Sequence, residues 1–488
     1  MSIGKNTAYN MAGSVIPLGL ALLTIPLYID LVGKERYGTL AIAWLILGYF
    51  GLFDLGLGRA TAQRIAALKN ASAEDRSNVF WTAVVVNIGM GLVGSVILYF
   101  AAQYFFANHF KVAAALLPEI LETIPLLAIA VPLATLTGVA SGALQGREKF
   151  LEVNMVTIVG TSLFQLFPLS VAWWYGPTLK WLILAAIVAR LIALLIFLSR
   201  VHANLLRGLT PRFDRTQWVA LLRYGGWVSI ISMISPLLVV VDRFMIGALI
   251  SAVAVTIYTV PFEMVQRVSL LPRSLGGALF PRMASGSDEQ SLMLSRRATA
   301  VMTLIITPPV MILMFVMEPF LHIWVGADIA SQATRVGWIL LLGYWINAFA
   351  IIPYSRLQAV GRPDLVSKAL LAQLPFYLAA MNLALTHFGL AGAAAVFSVR
   401  CVVDYLILSY ISERRLTASK MMLFFGILLL LVAAALPWLT SFSISWWLLL
   451  TAVTSIIAFT ALRNVPAELQ SLIQKALPGI VYRQVRFR

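Results

Sequence analysis

The chain has 488 residues, 60% of them hydrophobic and 11% charged, with a formal net charge of +16 and a mean hydropathy of +0.90. A soluble domain carries about 45–50% apolar and about 25% charged residues. A water-soluble globule, a disordered chain, a disulfide scaffold and a soluble nucleic-acid binder are therefore excluded, and an all-α polytopic membrane protein remains.

A helix needs about 20 mostly apolar residues to cross the ~30 Å hydrocarbon core. Such runs fall near 8–31, 38–58, 79–105, 122–143, 153–174, 179–199, 224–249, 252–280, 298–318, 336–358, 367–387, 389–411, 421–440 and 446–462, about fourteen spans. Lys5 precedes the first run and no small-x-small cleavage site follows it, so it reads as a transmembrane helix and not a removed signal peptide. The connections are short, the longest running from Arg200 to Arg223, which leaves no room for a soluble catalytic domain. Within that connection, Phe213, Trp218 and Leu221 alternate with basic residues, the pattern of an amphipathic helix lying in the membrane interface. The tail from Arg463 has a similar composition.

Charge orients the bundle. With a cytoplasmic N-terminus, 26 of the 36 Lys and Arg fall on cytoplasmic segments and the span ends next to them, 5 on the opposite side and 5 deeper within spans. That bias places both termini in the cytoplasm and accounts for the basic pI of about 10.1 without nucleic acid.

An internal repeat divides the chain. Leu144-Gln-Gly-Arg147, Tyr175-Gly176 and Arg190 recur as Leu357 through Arg362, Phe388-Gly389 and Arg400, at offsets of 215, 213 and 210. The expected organisation is a six-helix lobe over 1–205, an interfacial linker over 206–223, a second six-helix lobe over 224–415, two peripheral helices over 416–462 and a basic cytoplasmic tail over 463–488. Repeats of this kind are pseudo-symmetric about the membrane normal and place their substrate site between them. Rocking of the lobes about that site would give alternating access, with the loops near Gly33 and Gly326 closing the outer side.

Ionisable groups inside spans are costly and mark functional sites by default. The bases are Arg190, Arg243, Arg267, Arg273 and Arg400, and the acids are Asp54, Asp242, Glu263 and Asp404. Glu263 with Arg267, and Arg400 with Asp404, stand at i,i+4 and can neutralise each other on one helix. Asp242 and Arg243 are adjacent, about 100° apart around a helix, a spacing that predicts no pairing between them. Arg273 is expected to snorkel toward a nearby cytoplasmic end. Arg190 sits in mid-span among Ala186, Ile187, Ala193 and Leu194, and needs an anion from another helix, water or a substrate. The excess of Arg predicts a cavity for an anion, because the guanidinium fork suits phosphate bidentately. By repeat symmetry Arg190 and Arg400 should face each other across it. The acids Asp54, Asp242, Glu263 and Asp404 are the candidates for coupling to H⁺ or Na⁺, between which sequence does not choose.

Other chemistry finds no foothold. The lone Cys401 forms no internal disulfide, and His109, His202, His322 and His387 lack metal-ligand spacing. No phosphate-binding loop, Ser-His-Asp set, HExxH or dinucleotide fingerprint occurs. Paired and single prolines inside spans (Pro17, Pro26, Pro125, Pro132, Pro236, Pro261, Pro272, Pro308, Pro309) allow the helices to bend.

Several stretches resemble one family. Gly51-Leu-Phe-Asp-Leu-Gly-Leu-Gly-Arg-Ala60 resembles its glycine-rich second-helix motif, and Val241-Asp-Arg-Phe-Met-Ile-Gly247 its seventh-helix pattern. Tyr258 through Pro281-Arg282 is similar to its eighth helix, and Gly361-Arg-Pro363 with His387 through Ala394 to its later turn. In order and spacing these resemble the polysaccharide transporter branch of the multidrug/oligosaccharidyl-lipid/polysaccharide (MOP) exporter superfamily, the Wzx-type flippases, over roughly residues 1–415. The resemblance implies a non-enzymatic carrier in the bacterial inner membrane that moves undecaprenyl-pyrophosphate-linked oligosaccharide, an O-antigen, capsule or exopolysaccharide unit, to the outer leaflet. It implies two six-helix lobes around a central cationic cavity plus two C-terminal helices, no cofactor, and as partners membrane lipids, a polysaccharide polymerase and chain-length proteins. The alternatives are a cation-coupled multidrug exporter of the same superfamily, disfavoured by the Arg excess, a lipid II flippase, and, from another class, a membrane-embedded polysaccharide polymerase or ligase. The last usually needs a sizeable outer loop, which this chain lacks.

Overall fold

The computed structural model describes residues 19–49, 56–68, 71–210, 212–214, 238–413 and 419–464. Every regular element among them is helical. In order these are α1 (Gly19–Val32), α2 (Lys34–Tyr49), α3 (Leu57–Ala67), α4 (Ala73–Asn108), the single turn α5 (Leu117–Leu121), α6 (Ile124–Gly146), α7 (Phe150–Tyr175) and α8 (Leu179–Val201). They continue with α9 (238–249), α10 (Ala252–Val265), α11 (Leu270–Ser285), α12 (Asp288–Val325), α13 (Ala327–Ala359), α14 (Pro363–Glu413), α15 (Lys420–Ala435) and α16 (Ile444–Asn464).

Where the expected spans fall on described residues they are helices, and several helices outrun the apolar run. The 36 residues of α4 reach about 54 Å, well past a ~30 Å core. The cause is local: Ser72 accepts the Asp75 N–H while Asp75 accepts the Ser72 N–H, a capping box that starts the helix in polar sequence. Ser287 and Gln290 do the same for the 38 residues of α12. The two caps lie 215 residues apart, the spacing of the sequence repeat.

One expected helix needs correction. The run 252–280 is not one α-helix: α10 ends at Val265, a 3₁₀ turn covers Gln266–Ser269, and α11 follows. Pro272 has no N–H to offer the preceding turn, and tighter i→i+3 bonding takes over there. The spans 367–387 and 389–411 are two helices, as expected, joined directly within α14 at Gly389, whose φ of 59° and ψ of −144° are non-helical and which no residue with a Cβ adopts cheaply. Residues 212–214 of the connection after α8 are non-helical, with Arg212 bridging Glu74 at 3.0 Å and the Asp214 N–H donating to Thr82 Oγ1 at 2.9 Å. Most of the amphipathic segment, and the tail from residue 465, lie outside the described residues.

Two compact units emerge. The first holds the described residues up to 264 together with 374–393, the second 265–373 and those from 394 onward. In the first, α3, α4 and α6 pack through a core that includes Leu57, Phe80, Val139 and Leu144. Gly142 of α6 lies so close to α3 that a Cβ would sit 2.1 Å from the Gly58 carbonyl oxygen. Small residues at such crossings let membrane helices approach through their backbones. In the second unit the indole N–H of Trp345 on α13 donates to Thr307 Oγ1 on α12 at 3.0 Å, and that of Trp338 to the Met314 carbonyl at 2.9 Å. Buried Arg356 donates to Asp288 Oδ1 and to the carbonyl and hydroxyl of Ser412, tying the start of α12 to the ends of α13 and α14.

Candidate functional site: arginines within the spans

Arg190 lies midway along α8, and its guanidinium sits 4.8 Å from the centroid of the Phe164 ring on α7. Among the described residues it has no ion-pair or hydrogen-bond partner, and its Nε is buried without one. Phe164 in turn packs 6.2 Å from the Trp44 ring of α2, which packs edge-on at 4.9 Å against Tyr28 of α1. Tyr28 is held in place by donating its hydroxyl to the Gln165 carbonyl at 2.6 Å. Four helices of the first unit thus set a cation on an aromatic floor. Cation–π contact contributes about 0.5–2 kcal/mol, too little to replace the hydrogen bonds the guanidinium loses on leaving water.

Arg400 repeats the design in the second unit, 5.1 Å over Phe397, whose ring packs 5.3 Å from Tyr344. Its surroundings differ: it is buried, donates to Cys401 Sγ at 3.7 Å, and stands four residues from buried Asp404 on the same helix. Asp404 accepts from the Gln373 amide at 3.2 Å.

Arg243 and Asp242 on α9 correct the sequence reading. Both are buried, and Arg243 Nε lies 3.7 Å from Asp242 Oδ1. The same carboxylate oxygen accepts the Arg243 backbone N–H at 2.7 Å, so the short side chain folds back onto the main chain. The long arginine then curls round, stacking 3.7 Å over Phe262 of α10, and the 100° between their Cβ directions is bridged. Tyr258 lies in the electrostatic field of both Asp242 and Arg243, and Tyr37 in that of Arg243 and Glu263.

The remaining candidates lie elsewhere. Glu263 is on α10 and Arg267 on the 3₁₀ turn that continues it, and both make polar or electrostatic contacts. Arg273 opens α11 and is exposed. Asp54 lies outside the described residues.

Polar ties gather at the end of the first unit where α1 meets α2. Glu35 accepts the Ala113 N–H at 2.6 Å, and Glu119 accepts from Arg36 and from the Leu179 N–H. Lys111 exchanges backbone hydrogen bonds with Gly247 and Ala252 at 2.9 and 3.0 Å, and its ammonium donates to the Leu249 carbonyl. Gly38 lets α2 touch this segment: a Cβ there would meet the Ala252 oxygen at 1.9 Å. Sequence reasoning missed these ties and the aromatic floors, although Phe397 stands at i−3 from Arg400 and could have been noticed.

Residues 3–287 match the family model described as polysaccharide biosynthesis protein. A Shigella flexneri protein named "Putative O-antigen transporter" is 29% identical over 415 residues, covering 85% of this chain and 98% of that protein. The "Uncharacterized membrane protein EpsK" of Bacillus subtilis (strain 168) is 22% identical over 487 residues, 94% of this chain and 92% of that one. Among solved structures, the lipid II flippase MurJ in an inward closed conformation aligns with a TM-score of 0.73 and 12% identity over 94% of this chain and 99% of its own. An inward-facing multidrug resistance MATE family transporter of the MOP superfamily aligns with a TM-score of 0.65 and 13% identity over 87% and 99%. These two show a polytopic transporter fold.

Proposed function

We propose that this chain, which belongs to the polysaccharide biosynthesis protein family, flips a lipid-linked oligosaccharide from the inner to the outer leaflet of the bacterial inner membrane. The observation that carries the reading is Arg190: a mid-span guanidinium with no anion among the described residues. A pyrophosphate meets that need through charge-assisted, bidentate hydrogen bonds. Arg400, Arg243, Arg267 and Arg273 are the further cations proposed to meet the anionic headgroup during passage. The kinship to the Shigella protein favours sugar-bearing cargo over drugs or lipid II, for which the fold likeness alone does not argue.

The Lys/Arg bias supports two cytoplasmic termini. Buried Asp242 and Asp404, with Glu263, are the acids proposed to couple movement to H⁺ or Na⁺. Polymerase and chain-length proteins are the proposed downstream partners. The test is accumulation together with flipping: cells lacking the chain should trap complete lipid-linked units on the inner leaflet, and purified protein in liposomes should move them across. Single units collecting on the outer leaflet instead would identify a polymerase and reject the reading.

A further inference from the structure

Trp44 and Arg190 flank the same Phe164 ring from different helices, and the polar groups around that ring share one property. The Trp44 indole N–H, the Gln165 amide N–H₂ and the Arg190 guanidinium all lack acceptors among the described residues. Gln165 uses only its side-chain and backbone oxygens, accepting from Thr24 at 3.4 Å and from Tyr28. All three residues are half-buried, and within the Arg190 guanidinium the Nε itself is buried. Within a membrane each unsatisfied donor costs several kcal/mol. A cluster of them therefore faces water or a ligand rich in oxygen.

The rings narrow the ligand class. Trp44 and Phe164 offer apolar area between the donors, so the ligand must present a C–H face as well as oxygens. A free phosphate lacks the face, and a lipid tail lacks the oxygens. A sugar joined to a phosphate has both. The second unit does not duplicate the arrangement: the ring pair Phe397–Tyr344 is there, but Arg400 is buried with Cys401 and Asp404 beside it.

We infer that Trp44, with Phe164 and Gln165, is the seat of the sugar next to the pyrophosphate, so that this aromatic floor makes the carrier distinguish glycosylated from bare polyprenyl pyrophosphate. This rests on the transport reading above, with Arg190 on the phosphate. A pyranose C–H face stacks on the Trp44–Phe164 floor, while the indole and amide N–H groups donate to its hydroxyls or ring substituents.

The experiment compares two probes on purified full-length protein: the lipid-linked oligosaccharide accumulated by cells lacking the chain, and undecaprenyl pyrophosphate without sugar. Trp44→Leu should weaken binding of the glycosylated lipid about tenfold and leave the bare lipid unchanged, as expected for loss of a stacking contact of roughly 1.4 kcal/mol. Trp44→Phe, which keeps a ring, should restore part of the difference. Arg190→Gln should weaken both probes by the same factor. Equal weakening of both probes by Trp44→Leu, or none, overturns the sugar seat while leaving the phosphate reading standing. Failure of Arg190→Gln to weaken either probe overturns the phosphate reading, and failure of any lipid-linked sugar to accumulate overturns both. Monodisperse elution of each variant with an unshifted melting temperature is the condition for scoring it. If Trp44→Leu misfolds, Gln165→Leu takes its place with the same expected selectivity.

Discussion

The Arg36 guanidinium meets the Glu119 carboxylate at 3.2 Å, and that carboxylate also accepts the backbone N–H of Leu179. One acid thereby joins the start of α2, the turn α5 and the start of α8. The ion pair is partly solvated, with Arg36 31% and Glu119 15% exposed, and such a pair alone contributes about 0.2–1 kcal/mol. The backbone bond is a different matter, because Glu119→Ala leaves the Leu179 N–H without its acceptor, at about 1–3 kcal/mol. Glu119→Ala should therefore lower the unfolding free energy several-fold more than Arg36→Ala. A double-mutant cycle in detergent should assign about 1 kcal/mol or less to the pair itself. Equal losses from the two single variants would show that the backbone bond contributes nothing.

The Asp242–Arg243 pair, at 3.7 Å and almost wholly buried, predicts a strong asymmetry between single and double substitution. Removing one partner of a buried pair strands a charge at about 3–5 kcal/mol, whereas replacing both with apolar groups of similar size is often neutral. Asp242→Ala should yield little folded protein, and Asp242→Leu with Arg243→Met should recover it. If the recovered protein still flips at the normal rate, Asp242 is not the coupling acid. If it folds but has lost its response to an imposed proton or Na⁺ gradient, the pair has a functional as well as a structural role.

The spans were legible because a bilayer admits few solutions: about 20 apolar residues, satisfied backbone and polar flanks are one-dimensional signals. The caps at Ser72 and Ser287 are equally local signals that the sequence reading passed over, whereas Gly389 falls at the boundary it drew between two spans. The surroundings of the arginines are not local. Phe164 lies 26 residues before Arg190 and Trp44 much further, and no spacing rule links them. Asp242 and Arg243 deceived a rule based on Cβ directions, because a side chain folding back on its own backbone and a long flexible partner both escape it. Glu119 reads as an ordinary loop acid until the fold brings Arg36 and Leu179 to it.

The connection after α4 is tied on two sides, to Glu35 through the Ala113 N–H and to Gly247 and Ala252 through Lys111. The proposed topology puts this region on the outer face. If outward release requires these segments to part, fixing them must stop transport. Cysteines at Lys111 and Ala252, joined by a short bifunctional thiol reagent in a Cys401→Ala background, should block flipping. A thiol-cleavable version of the reagent should restore it on reduction. Uninterrupted flipping by the fully cross-linked protein would show that this end of the first unit stays closed throughout the cycle.

Arg190 gives the most discriminating prediction because it lacks a partner among the described residues. An arginine bridged to a carboxylate leaves that acid stranded when removed, and the fold suffers. Arg190 leaves only Phe164, from which it gains about 0.5–2 kcal/mol of cation–π attraction, offset by the relief of an unpaired charge in mid-span. Arg190→Ala should therefore fold with a melting temperature close to that of the parent and yet fail to flip lipid-linked sugar. Arg190→Lys keeps the charge but loses the planar fork, so it should bind pyrophosphate as a point charge and retain part of the rate. Arg400→Ala, by contrast, removes a cation beside buried Asp404 and should cost stability as well as transport. The readouts are thermal unfolding and flipping in liposomes on the same preparations. A well-folded Arg190→Ala protein that flips at the parental rate would reject the phosphate role. A misfolded one, rescued by removing an acid on another helix, would show that the side chain is a structural bridge.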